Sequence, residues 1–592
     1  MLLTYVLLVF ILGIAHALRT NPLASVSGPA WDTFNQSVSG RLFNGLPVLA
    51  PCFSTVNGAP QSPDTQECKR VVGNQANAAF ISDMFGGYAT GNWASCQGTG
   101  ESCVFNLTAG PNPPGDCHQG AVPGKYVEVH TVSDVQRTMD FARRHRLRLV
   151  IKNTGHDYKG RSSAPDALAL WTHKYQPAIR LDRSFTPDGC HDPVGEVITF
   201  GAGQQFGGIY EFAHAHGYRV VGGMSKTVGA AGGWITGGGH SMLSPELGLG
   251  VDNVQQLRAV LPNGTYVTAN RCHNQEIFFA LRGGGGGTFG VIMEMSVTAH
   301  AEKLMEVFTM NLAGSDPSTA ERLLAAVVAS ANRWASEGWG GYILPGGRAE
   351  QPSTMVMATT LLDHAAAEES VQSMMALAGE AAGEAKLTSV GGFYEVARGI
   401  LDDKSLERSL SSGAAMSSRI IPRDTFLGES NQKSLSSILN DIRLAGQRNE
   451  ASQMLVLMTA PTVYSRNLPA SDEPDGPGAA SVTPAWRNGL WHVIHVRSFD
   501  TVVTGPGAVG EVFQDTHEAM NPLREFTPSG GAYQNEADAF EPDPVGAFWG
   551  KKNYERLMRI KESLDPENLL TVHQGVGWDG EDARYGCYPV FQ

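Results

Sequence analysis

Between residues 222 and 239 the chain reads GGMSKTVGAAGGWITGGG, and residues 283–287 are five consecutive glycines. Without a Cβ, backbone can turn through conformations closed to other residues and can let another object come close. Lys226 is the sole charge in the first stretch, so many backbone N–H groups stand with no side chains in the way. A bound pyrophosphate requires that arrangement. The pattern is neither GxGxxG after a first strand nor a phosphate loop, which excludes the Rossmann and Walker readings. Val228, Trp234 and Ile235 punctuate the run with core-forming side chains, as a solvated linker would not. The stretch therefore predicts a cofactor cradle.

A second glycine-bearing segment lies upstream. Tyr126–Val129 alternates like a strand, a helix opens at Ser133 with Val135, Met139, Phe141 and Ala142 on its apolar stripe, and Leu149–Lys152 forms a second strand. Asn153-Thr154-Gly155-His156-Asp157-Tyr158-Lys159-Gly160-Arg161-Ser162 follows at once. This order resembles the start of a nucleotide-binding α+β unit. Further on, residues 204–217 predict a helix and 218–221 a strand. Val254–Pro262 and Tyr266–Ala269 form a hairpin about Asn263-Gly264. Beyond residue 300, Met305–Leu312 predicts a strand, 317–336 and 364–383 predict helices, 465–486 a loop and Pro544–Leu564 a helix. Trp491–Phe499 alternates like a strand lining a cavity; His492 and His495 are three apart on it and face opposite ways.

Export is expected. Residues 1–17 combine an apolar run with Ala15-His16-Ala17, a signal-peptide pattern. The eight cysteines are an even number, and five of them fall within residues 52–117. They predict a disulfide-stapled, coil-heavy extension over 18–119, with Cys96–Cys103 as a local loop. No Cys/His run has metal-ligand spacing, so no metal is expected. Sequons stand at Asn35, Asn106 and Asn263. A net charge of -14 argues against nucleic acid as a partner. No later segment reads as membrane-spanning.

Seven ordered stretches carry a family resemblance: NTGHDYKGRSSAPDALALWT (153–172), TVGAAGGWITGGGHS (227–241), GLGVDNV (248–254), LRGGGGGTFGV (281–291), PAWRNGLWHVI (484–494), GAYQNEAD (531–538) and FWGKKNYERLMRIKESLDPENLL (548–570). Through them the chain resembles the fungal berberine-bridge-enzyme-like, PCMH-type FAD-linked oxidoreductases of the vanillyl-alcohol-oxidase superfamily. The resemblance implies a two-lobed α+β fold. A PCMH-type FAD-binding domain would span 120–300 and take back a C-terminal segment, 529–592. A substrate-binding domain, an antiparallel sheet covered by helices, would span 301–528.

The resemblance also implies site residues. His156 would hold FAD covalently through the 8α-methyl. Asn153, Thr154, Gly155, Asp157, Gly160, Arg161, Ser162, Ser225, Thr227, Val228, Gly229, Gly232, Gly233, Gly237, Gly238, Gly239, His240, Ser241, Asn253, Gly290 and Val291 would form the rest of the cofactor site. Many relatives carry a second link through a cysteine two residues before Thr-Val-Gly; Ser225 occupies that position, which implies a single tether. Val228 lies where the family gates oxygen, and Tyr533 is the implied catalytic base. The expected function is a secreted oxidase that moves a hydride from an alcohol, sugar or secondary metabolite to flavin and electrons to O2. An oxidative cyclase and a flavin-containing binding glycoprotein without turnover are the alternatives.

Overall fold

The computed structural model describes residues 22–106, 115–312, 317–346, 351–401, 412–447, 452–580 and 585–591. The expected signal peptide lies outside them. Three main sheets organise the chain. The first contains β1 (Leu42–Asn44), β2 (Lys125–Glu128), β3 (Arg148–Lys152) and β4 (Ala167–Trp171) in the order β1-β2-β4-β3, with β4 parallel to both β2 and β3. Parallel pairing needs a crossover, and the helix Val132–Arg144 supplies it. Thr131, two residues before the expected start, caps that helix in a reciprocal box with Asp134. Its apolar stripe, Val135, Met139 and Ala142, is fully buried against Val127, Leu149 and Leu168.

The second sheet is antiparallel, with β5 (Arg180–Asp182), β6 (Val197–Gly201), β7 (Val254–Val260), β8 (Tyr266–Asn270) and β9 (Val291–Thr298) in the order β8-β7-β9-β6-β5. The expected hairpin is β7–β8, closed with Val260 opposite Tyr266. The third sheet has seven antiparallel strands. These are β10 (Met305–Leu312), β11 (Gly340–Leu344), β12 (Ser353–Thr359), β13 (Glu384–Val390), β14 (Ser412–Pro422), β15 (Ser452–Met458) and β16 (Gly489–Asp500), in the order β13-β10-β12-β11-β15-β16-β14. The helices Pro317–Ser336, His364–Glu380 and Glu429–Gln447 cover one face. Leu323, Val327, Trp334, Val371, Leu435 and Leu439 meet Phe308, Met357, Trp491 and Val493 there. Successive strand residues face opposite ways, so Trp491 and Val493 belong to the helix side and His492, Ile494 and Val496 to the other. Strand period alone thus sends His492 away from the helices.

Three expectations need correction. The N-terminal extension is not coil throughout: Gly28–Ser37, Thr65–Gly73 and Ala78–Ser82 are helices, the last two capped by Asp64 and Asn77. The expected helix 544–564 is two, Pro544–Phe548 and Lys551–Leu564, broken at Gly550, whose φ of +73° no right-handed helix accepts. Cys96 does not pair with Cys103. The disulfides are Cys52–Cys68, Cys103–Cys117, Cys190–Cys272 and Cys96–Cys587. Local pairing fails because the C-terminal tail returns to the extension, where the Gly98 N–H donates to Cys587 O at 3.1 Å.

Tyr588 then stacks on His573 at 3.8 Å between centroids and donates its hydroxyl to Lys159 O. The tail thereby buttresses the segment that begins at Asn153. Replacing Cys96 and Cys587 together with alanine is expected to cost about 2–4 kcal/mol. Scanning calorimetry at one fixed rate should show an earlier unfolding transition, and limited proteolysis should release the tail. An unchanged transition with a protease-resistant tail would remove this role from the bond.

Candidate active site

The segment after β3 is shaped by its own side chains. Asp157 Oδ2 accepts from Ser162 N at 2.7 Å and from Ser162 Oγ at 2.6 Å, closing a compact turn. Gly160 holds φ +68°, and a Cβ there would lie 2.4 Å from the Trp93 ring. Arg161 ties the turn to the C-terminal segment, donating to His573 O, Gln574 O and Gln534 Oε1 at 2.9–3.2 Å. These residues form a scaffold, and what the scaffold presents is His156. Its ring is half-buried, with Nε2 2.7 Å from Thr227 Oγ1 in the glycine-rich loop. Burial first, and the charge of Lys152 second, push this imidazole down to about 4, so it is neutral at neutral pH.

The glycine-rich loop runs from that turn to the C-terminal segment. Thr154 Oγ1 accepts from Gly229 N at 3.3 Å, and Cβ atoms at Gly229 and Gly232 would lie 2.5 and 3.0 Å from the Asn153 amide. At the far end, a Cβ on Gly237 would lie 2.4 Å from the Asn535 amide, which donates to Gly233 O at 2.8 Å and to Tyr533 Oη at 2.7 Å. Glycine is needed here because two asparagines lie against the backbone. A one-turn π-type distortion over Ala230–Trp234 separates the two ends.

Not every expected cofactor residue joins this group. Ser241 is fully buried and bonds to Leu243 N and Ser244 Oγ. The Asn253 amide donates to Leu247 O and Leu249 O, and its Oδ1 meets His300 Nε2 at 2.6 Å. Gly290 packs against Val260 O, and Val291 lies in the β-sheet core.

Tyr533 is buried, accepts from Asn535 and donates to Trp234 O at 3.2 Å. Burial first, and the neighbouring Glu536 charge second, drive its phenol above the ordinary tyrosine value. Glu536 was absent from the expected residues. Its Oε2 accepts from His240 Nε2 at 3.0 Å and His492 Nε2 at 2.9 Å. Burial opposes its ionisation, but the charge and hydrogen bonds of the two imidazoles outweigh that, and the carboxyl sits well below the usual range. The three ligating atoms lie within 4.8 Å of one another, a convergence of metal-binding residue types that chain spacing did not anticipate. The signal available was His240 at the end of the glycine run and His492 on the cavity face of its strand; Glu536 carried none.

FAD fits these residues. Glycines sit where side chains would collide, a half-buried imidazole faces the loop, and a buried polar atom in the same segment, Asn153 Oδ1, has no partner among the described residues. An unsatisfied buried polar atom is what a polar cofactor would satisfy.

A family profile for the FAD binding domain matches residues 123–270, and a second, described as berberine and berberine like, matches residues 532–577. An FAD-linked oxidoreductase of Pyricularia oryzae is 30% identical, with 97% of each chain covered. An FAD-linked oxidoreductase of Chaetomium globosum is 32% identical over 99% of this chain and 92% of its own. Among solved structures, a VAO-type flavoprotein of Myceliophthora thermophila C1 superposes with a TM-score of 0.80 at 26% identity, covering 94% of this chain and 97% of that one. Fold and site define a two-domain flavoenzyme. The chain belongs to the berberine-bridge-enzyme-like FAD-linked oxidoreductases of the vanillyl-alcohol-oxidase superfamily.

Proposed function

We propose that this enzyme is a secreted oxidase that takes a hydride from an alcohol, a sugar or a secondary metabolite and passes the electrons to O2, releasing hydrogen peroxide. Bound FAD supplies the two-electron chemistry. The observation that carries the reading is His156, a neutral imidazole held by Thr227 against the loop where Ser225 stands in place of a second linking residue. One covalent tether through His156 follows, with Asn153, Thr154 and the backbone of Gly229–Gly233 along the cofactor. Val228, half-buried on the same loop, stands at the position that the family resemblance assigns to oxygen access.

Secretion is supported by the four disulfides and by the absence of free cysteine among the described residues. Among those residues no helix is long and apolar enough to cross a membrane. Asn106 and Asn263 are exposed and suit glycan attachment. Asn35 is half-buried, with Oδ1 accepting from Leu42 N, and suits it less. Oxygen consumption by the purified yellow protein across an alcohol and sugar panel tests the reading. One peroxide per substrate oxidised is expected. Bleaching of the flavin by substrate with no peroxide in air would make the enzyme a dehydrogenase.

A further inference from the structure

We propose that the substrate proton is accepted by the His240–Glu536–His492 group, with His240 as the catalytic residue and Glu536 and His492 as positioning residues, and not by Tyr533. The inference rests on the oxidase reading, in which an alcohol carbon gives up a hydride and its oxygen a proton. The hydride and its electron pair go to the FAD, the proton to His240 Nδ1, and the product is a carbonyl compound.

Geometry carries the assignment. An ionised carboxylate only accepts, so both Nε2 atoms at Glu536 carry their hydrogens. On each ring Nδ1 is then the nitrogen left to take a proton, and both Nδ1 atoms lack any partner among the described residues. This is the carboxylate–imidazole arrangement that fixes a tautomer, orients the ring and stabilises the cation formed when the ring takes a proton. His492 is fully buried, whereas His240 keeps 8% of its surface and directly follows the glycine-rich loop. Tyr533 is poorly suited. Its oxygen is engaged by Asn535 and its hydrogen by Trp234 O. Removing that hydrogen would place a second negative charge beside Glu536.

The same three groups could in principle surround a cation. Metal-bound imidazoles, however, donate their second N–H to a carboxylate, carbonyl or water, and neither ring has such a partner among the described residues. The groups facing His240 are Glu536, His492, the Tyr533 ring at 5.0 Å and the Trp486 ring at 5.9 Å. Tyr342, on β11, is raised by burial first and by the Glu536 charge second, and belongs to the same titratable surroundings.

The test uses the holoenzyme and anaerobic stopped-flow reduction of its flavin by a substrate from the oxygen screen. His240→Gln should slow reduction at least about 100-fold, the usual worth of a positioned base. It should also abolish the acid limb of the pH profile. Glu536→Gln and His492→Gln should slow reduction less and displace that limb, and imidazole in the buffer should partly restore His240→Ala. Tyr533→Phe should also be slower, having lost its bonds to Trp234 and Asn535, but should keep the limb. Loss of the limb in Tyr533→Phe alone, with the histidine variants retaining it, overturns the assignment, as does a stoichiometric divalent metal in the purified holoenzyme. If no substrate emerges, the oxidase reading fails separately. Imidazole 15N NMR still decides the group's state: a hydrogen on both Nε2 atoms is expected, and rings carrying the hydrogen on Nδ1 with Nε2 bare overturn the proposal.

Discussion

Replacing His156 with alanine is expected to free all of the flavin from the denatured chain, where the wild type keeps it. His156 meets both ends of the requirement. It is close to the loop, with Nε2 2.7 Å from Thr227 Oγ1, and it is neutral, because burial and the Lys152 charge hold it near 4. A neutral ring keeps a lone pair free for a covalent bond; a protonated ring does not. Ser225 stands where many relatives have their second link, and a hydroxyl forms no thioether. Release should therefore be complete and not partial. Acid precipitation followed by fluorescence of the pellet reads the result directly. Wild-type protein whose pellet is colourless carries no covalent flavin, and that outcome removes both the tether and the argument from Ser225.

The parts of the fold that were legible in the sequence are those where local chemistry and tertiary context agree. Met305–Leu312 is a strand over the expected residues, the 317–336 helix has its expected bounds, and Asn263-Gly264 closes the hairpin, because each signal is complete within a few residues. Strands β12, β13, β14 and β15 were not anticipated: they read as short mixed runs and become strands only through pairing with distant partners. The Cys96–Cys587 bond spans 491 residues and no local pattern encodes it.

The candidate site divides the same way. Asn153, Thr154, His156 and the glycines between 229 and 239 stood out in the sequence, since backbone that lies close against other groups, here the Asn153 and Asn535 amides, is written as glycine. Glu536 was not legible, since its meaning depends on His240 and His492, 296 and 44 residues away. Tyr533 stood out through the family motif, yet a motif does not report that its hydroxyl is already committed to Trp234 and Asn535.

Lys152→Met should make the protein more stable at neutral and acidic pH, with the gain fading as pH rises. Lys152 is fully buried at the end of β3, and its Nζ has no hydrogen-bond partner among the described residues. Rings of Tyr88, Phe85 and Trp171 surround it at 5.0, 5.8 and 5.8 Å. Burial lowers the ammonium from 10.5 to about 7, against a partial restoring effect of Asp157. The sign follows from proton counting. Between about 7 and 10.5 the unfolded chain binds the proton that the folded chain has released, so stability rises with pH across that window. Below it both states are protonated and the folded state bears the full cost of the buried charge.

That gap corresponds to at most about 5 kcal/mol, from which cation–π contact with the rings returns about 0.5–2 kcal/mol each. A net gain of about 2 kcal/mol for Lys152→Met near pH 6 is the expected size. It should approach zero by pH 10, as measured by apparent unfolding temperature against pH for both proteins at one scan rate. A gain that does not vary with pH would assign the effect to packing by the methionine side chain, and a loss of stability near pH 6 would mean that Lys152 has a charged partner in solution. A costly buried amine near His156 fits the general pattern in which strongly perturbed groups collect at functional sites, here at the turn that positions the His156 imidazole.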